Sequence, residues 1–484
     1  MSFCTRRKKT PGVIYSLSIP DRVSEIEARS VVFRRELGLG TLALTQIMYV
    51  VGSAWVGTAA KLGPSHVVFW SAAILLYYLP QAAVVIYLNR LMPLEGGLYQ
   101  WATSGLGRFL GFLTAWNLWA YAILIMAAFG VLIANNLSYL ITPMGATFTS
   151  AAWYTPVVSA AAVIAMTIVT LFGLHVGKWL QSFGGLAQLL MFAALIVVPY
   201  IALGRGRTQV AYHPLYWAMP SFTLYSLNIF GKMALGALSG FEYVAILAGE
   251  CRAPAKTIGQ SVLIATPVIA AMFIFGTSSV LALVPQRQID LVSPIPQTLQ
   301  IGFAGLGIAR FIVPALIVML LVRQIGNVTL IFTGNTRLPM VAGWDHLVPA
   351  WFSRLHPRYR TPYNSILFVG ALTLVLTLLG QVGVGLQEAF QLLDNAAGIL
   401  YAFAYLALFA IPLFGARRLG AVVPLWLRVM AASGFAVSLL YSVLSVFPII
   451  DVASWQIFAV KIIAVLVAAN LVGVGIYLAG TRRA

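Results

Sequence analysis

Charge is what this chain lacks. Only 9% of its 484 residues are Asp, Glu, Lys or Arg, where a soluble domain carries about 25%, so a soluble globular class is excluded. Within that small share, 12 acidic residues stand against 30 basic ones. Cysteine is rarer still: Cys4 and Cys251 are both expected on the cytoplasmic side, where reducing conditions disfavour a disulfide. The five histidines are scattered and make no metal-binding pattern, so no metal site is expected. No Walker loop and no HExxH occurs, which removes ATP-driven transport by this chain and zinc proteolysis; no cofactor is expected. The basic run Arg6–Lys9 is not followed promptly by an apolar segment, so no cleavable signal is expected either.

What the chain has in abundance is apolar sequence. It is 61% hydrophobic, with a mean hydropathy of +0.92. Stretches of about 20 apolar residues, enough to cross a bilayer, recur from Leu39 to Leu478. We place about twelve spans, at 38–60, 66–89, 99–136, 154–174, 180–203, 226–249, 258–284, 309–334, 363–382, 388–412, 425–447 and 455–480. The expected organisation is a polar cytoplasmic arm at 1–36, one transmembrane domain at 37–480 and a short cytoplasmic end at 481–484. The net charge of +18 then reads as topology rather than as a nucleic-acid surface. With the N-terminus inside, most Lys and Arg fall on the cytoplasmic side, as the positive-inside rule requires. The protein is expected to be multi-pass in the cytoplasmic (inner) membrane, with both termini cytoplasmic and the lipid bilayer as its solvent.

Two of these spans are interrupted by glycine in matching positions of the two halves. Helix one carries Gly52-Ser53-Ala54-Trp55-Val56-Gly57; helix six carries Gly231, Gly236, Ser239 and Gly240, then Glu242. A helix broken at membrane depth frees backbone groups that lipid cannot satisfy, so breaks survive where they line a cavity or bind something. Paired breaks about five helices apart point to a transporter's binding site. Freed N–H groups suit a carboxylate, and freed carbonyls suit an ammonium group or Na⁺. Close helix packing is the plainer reading of the same glycines. Glu242, an acidic group near midspan, costs about 2.5–3.5 kcal/mol. It reads either as a proton or cation carrier or as a structural carboxyl.

Further motifs extend the pattern. Gly240-Phe241-Glu242 followed by Ala248-Gly249-Glu250-Cys251-Arg252-Ala253-Pro254-Ala255-Lys256-Thr257-Ile258 resembles the sixth-helix signature of the amino acid–polyamine–organocation (APC) permeases. Four more stretches agree: Gly52-Ser53; Glu95-Gly96-Gly97-Leu98-Tyr99 with Trp101; Thr336-Arg337 with Asp345-His346-Leu347-Val348-Pro349; and His356 to Pro362. The resemblance implies an all-α polytopic fold: a five-plus-five inverted repeat with helices one and six broken, and two helices added. It also implies a substrate site between helices one, three, six, eight and ten. The carboxylate of an amino acid would lie on Gly52, Ser53 and Ala54, and its amino group would face carbonyls of Ala237, Leu238 and Ser239.

This chain departs from the family pattern at several of those positions. Ala54 stands where glycine is usual, and Trp55 is bulky enough to act as a lid. Gly236 replaces a common gating aromatic and leaves a roomier pocket. Gln188 stands where proton-coupled relatives carry lysine, which puts proton release by that route in doubt. Helix eight holds Arg323 and, one turn on, Asn327 on the same face. An intramembrane arginine needs a partner; Glu242, Asp394 or a substrate carboxylate are the candidates, a structural pair being favoured. Asp394-Asn395 in helix ten pose the same question, while Trp116, Asn117, Trp119 and Tyr121 of helix three read first as packing. The functional expectation is a secondary transporter, not an enzyme. It would move a small amino acid or related amine by alternating access, with H⁺ or Na⁺ as coupling ion or by exchange. A nutrient sensor on the same fold, or a carrier of another organic substrate, is the alternative.

Overall fold

The computed structural model describes residues 38–92, 97–141, 151–171, 174–206, 208, 214–241, 254–341, 350–357 and 361–482, and these contain helices and no strand. In chain order the spans are α1, in two segments Leu39–Val50 and Ser53–Ala60, and α2 (Gly63–Leu91). Then come α3 (Arg108–Ile141), α4 (Tyr154–Leu171), α5 (Leu174–Leu203) and α6 (Leu224–Gly231, continued by a π-turn Lys232–Ala237). They are followed by α7 (Pro254–Leu283), α8 (Ala309–Val341), α9 (Tyr363–Leu379), α10 (Leu386–Leu419), α11 (Leu425–Leu444) and α12 (Trp455–Thr481). Among the described residues nine helices are long and apolar enough to cross a bilayer, ten when the two segments of α1 count as one span. Glu242, the basic stretch at 251–253 and the 345–349 motif lie outside the described residues.

The breaks fall where the glycines sit. The two segments of α1 meet at 45°; Val51 turns out of the helix at φ −80°, ψ 87°, and Gly52 is extended at φ −80°, ψ 139°. On α6, a capping box between Thr223 and Ser226 starts the helix (Thr223 N–H to Ser226 Oγ 2.9 Å, Ser226 N–H to Thr223 Oγ1 3.1 Å). The π-turn then loosens it, Leu238 leaves helical geometry, and Gly240 takes φ +131°, a conformation that favours glycine.

Of the span boundaries that differ from the sequence expectation, two have a visible local cause. Helix three was expected to run over 99–136, but Gly107 at φ +104° splits off a separate helix, Leu98–Leu106, and α3 starts at Arg108. Arg418 at the end of α10 donates to the freed Leu106 carbonyl at 2.7 Å and holds the short helix there. Helix ten was expected to end at 412, yet it continues to Leu419 through a π-turn at Ile411–Gly415. Pro412 lies in that turn; proline lacks the N–H a regular helix needs, and the wider turn accommodates it.

Packing reveals the repeat. α3 packs on α10 as α8 packs on α5; α3 meets α4 as α8 meets α9; α3 meets α9 as α8 meets α4. Each pair becomes the other when helix n is exchanged with helix n+5. Because five crossings reverse the starting side, the second set is inverted relative to the first. α11 packs on α10, α2 and α6, and α12 on α3 and α10, outside that symmetry. The most apolar stretch of α3 is 83% buried against 28% for α12, so α3 is central and α12 peripheral.

Candidate functional site

A cavity of about 90 Å³ opens between the two breaks. That is room for several waters or a small solute, since one water needs roughly 10–15 Å³. Its wall comes from α1, α3, α6, α8 and α10. Gly52, Ser53, Ala54 and Trp55 line it from α1; Gly236 and Ser239 from α6; Arg323 and Asn327 from α8; Asp394 and Asn395 from α10. Ala237, Leu238 and Gly240 are buried and are not part of this wall. Gln188 is also buried and outside the lining.

The α1 break presents opposite polarities on its two sides. The second segment begins at Ser53 with no side-chain cap, so its first amides are unclaimed by the helix and carry the positive end of its dipole. The first segment ends in carbonyls, and these are taken. Arg323 Nη2 donates to Val51 O at 2.7 Å and to Met48 O at 3.2 Å, and Gln188 Nε2 donates to the same Val51 O at 2.9 Å. Arg323 is 1% exposed. Among the described residues, the hydrogen bonds of Arg323 go to the carbonyl end of α1 rather than to Asp394, and there a cation meets the negative end of a helix dipole. Gln188 holds that same carbonyl from α5.

The α6 break is held by tyrosines. Tyr405 Oη accepts from Gly240 N–H at 2.9 Å and from Gln81 Nε2, and Tyr77 Oη bonds to Ser239 Oγ at 2.7 Å. Two aromatics of α1 fill the space left by α6 glycines. Tyr49 lies where a Cβ on Gly240 would fall (2.3 Å), and Trp55 where one on Gly236 would fall (2.6 Å). The roomier pocket expected at Gly236 is thus corrected, because the Trp55 indole occupies that space.

Lys232 escaped the sequence reading. It is 2% exposed and lines the cavity, its Nζ donating to Asn395 Oδ1, with Asp394 within electrostatic reach. The signal was available: a lysine within an apolar span is a functional candidate by default. Tyr121, expected to pack, stacks face to face on Tyr401 (centroids 4.1 Å, planes 6° apart), and both line the cavity. Trp116 and Asn117 do pack, holding α12 through Ala469 O at 2.8 Å and Asn470 Oδ1 at 3.1 Å.

Broken helices around a buried polar cavity, within an inverted repeat, define a multi-pass membrane transporter. The chain belongs to the amino acid permease family, whose model matches residues 37–469, in line with the APC motifs. A Legionella pneumophila protein described as a transporter is 24% identical over 379 residues, 78% of this chain and 80% of its own. The probable agmatine/putrescine antiporter AguD of Lactococcus lactis is 23% identical over 378 residues, 78% of each chain. The branched-chain amino acid permease BcaP of Bacillus subtilis is 23% identical over 399 residues, 76% of this chain and 81% of its own. Among solved structures, MhsT in complex with L-phenylalanine shares the fold, with a TM-score of 0.60 and 15% identity, over 84% of this chain and 97% of its own.

Proposed function

We propose that this permease is a secondary transporter of a small amino acid or related amine, working by alternating access around the breaks of α1 and α6. The observation that carries the reading is the uncapped start of the second α1 segment on the cavity wall. A substrate carboxylate would lie against Gly52, Ser53 and Ala54 and accept hydrogen bonds from the amides of Ser53 and Ala54, since the Gly52 N–H already donates to Val50 O at 2.9 Å. Its ammonium would face the α6 carbonyls at Ala237–Ser239, of which Ser239 stands on the cavity wall. Relatives whose names specify branched-chain amino acids and agmatine/putrescine support this substrate class. The membrane is the cytoplasmic one, with the N-terminus inside, as the distribution of basic residues favours.

For coupling, we favour protons or exchange over sodium. Carbonyls freed at a helix break are the groups that coordinate Na⁺ in broken-helix transporters, and here Arg323 already supplies a positive charge to those of Met48 and Val51.

The test is a thermal-shift screen of the purified protein against amino acids and their decarboxylated amines. A ligand at a hundredfold excess over its Kd stabilises by about 2.7 kcal/mol. The expected result is a hit that disappears in Ser53→Leu while the unliganded variant still melts cooperatively. A hit of undiminished affinity in Ser53→Leu would remove the α1 site.

A further inference from the structure

We propose that Asp394 is a proton-binding carboxyl of the cavity with Lys232 as its resident counter-ion. Its part in coupling rests on the transporter reading above; its proton chemistry does not. Asp394 is 9% exposed and lines the cavity, and among the described residues no hydrogen bond reaches its carboxylate. A buried carboxylate lacking donors is costly in the charged form and is relieved by a proton or a cation. Lys232 supplies the cation only through space. Its Nζ donates instead to Asn395 Oδ1 on the next residue and lies 6.0 Å over the Tyr441 ring. Asp394 therefore keeps open lone pairs in a space that water can enter.

The groups facing this pair are few. Tyr441 comes from α11, Tyr121 from α3 and Tyr49 from α1, while Arg323 of α8 lines the same cavity but is bound to the α1 carbonyls. Among the described residues Asp394 is the one carboxylate in the lining. A proton arriving from the cavity bonds to a carboxylate oxygen and converts Asp394 to a neutral acid. Lys232 keeps its protons and its bond to Asn395. Its charge is then unbalanced, and the cavity gains one unit of positive charge. An anionic group on a solute is favoured in that state, and by linkage the anion tightens proton binding by the same factor. The pair also joins α6, a broken helix, to α10, so occupancy at Asp394 acts where the two elements meet.

The experiment is a pH titration by infrared difference spectroscopy of the full-length protein in lipid, without substrate, following the carbonyl stretch of a protonated carboxylic acid. The expected result is a titrating band that is absent from Asp394→Asn and kept in Glu242→Gln. In Lys232→Met its midpoint should rise by at least about one pH unit, a tenfold tighter proton, because a neighbouring cation has gone. A band kept in Asp394→Asn, lost only in Glu242→Gln, or absent from the native protein overturns the proposal. So does a midpoint that stays or falls in Lys232→Met, which carries the test alone should Asp394→Asn not fold. Silence in the ligand screen would count against the transporter reading and leave these spectra untouched.

Discussion

The indole of Trp55 lies on Gly236: a Cβ there would come within 2.6 Å of its Cη2. The same ring crosses Gly52, where a Cβ would stand 2.5 Å from Cδ1. Two features that look independent in the sequence, a bulky residue on helix one and a missing aromatic on helix six, are one packing arrangement. Gly236→Ala should destabilise by about 1–3 kcal/mol through overpacking, read as a lower melting temperature. Adding Trp55→Val should recover much of that loss. Simple additivity of the two substitutions would show that the contact is not the cause.

Arg323 closes the carbonyl end of α1, so its removal should expose a cation requirement. Arg323→Met strips both Met48 O and Val51 O of their Nη2 donor. Each buried group left without a partner costs about 1–3 kcal/mol, although Gln188 still serves Val51 O. The variant should melt lower in choline chloride and recover part of the loss in sodium chloride of equal strength. The native protein should melt alike in both salts. A native protein that is itself stabilised by sodium would contradict the resident-cation reading.

Both breaks are legible in the sequence because their cause is local. Gly52, Gly236 and Gly240 weaken a helix wherever they stand, and the APC motifs put them in register. Most span ends follow from apolar run length, and α4, α8 and α12 begin at the expected residues. The partners are not legible in this way. Arg323 reaches Val51 across 272 positions, and Tyr405 reaches Gly240 across 165; no periodicity encodes such pairings. Gly107 is less legible for another reason: glycines inside a span-length segment read as tolerated, and the partner at the φ +104° turn, Arg418 on the Leu106 carbonyl, comes from the far end of α10.

Tyr405 is the cap of the second break, and its hydroxyl is the part that matters. Tyr405→Phe keeps the edge-on ring contact with Tyr401 and the tilted one with Phe409 but leaves Gly240 N–H and Gln81 Nε2 without their acceptor. The expected loss is about 1–3 kcal/mol. Tyr77→Phe should cost less, about 0.5–1.5 kcal/mol, since Ser239 Oγ is freed at the cavity wall and can turn to water. Equal losses in chemical-denaturation midpoints for the two variants would argue against a specific cap at Gly240.

Lys61 offers a pH test outside the spans. It follows the last residue of α1, donating to Gln286 O at 3.3 Å and receiving Gln286 Nε2 at its own carbonyl. Partial burial pulls its ammonium below the ordinary 10.5, with Asp451 pulling it back in part. Between the lowered value and 10.5 the folded protein binds fewer protons at this residue than the unfolded chain, so stability rises with pH across that window. Below it both states are protonated, and the burial penalty on the charge is felt in full. Lys61→Met keeps the alkyl stem and removes the charge. It should melt higher than the native protein at neutral pH, and the difference should shrink as pH approaches 10.5. A gap that widens with pH would mean that the pull of Asp451 outweighs burial, reversing the sign.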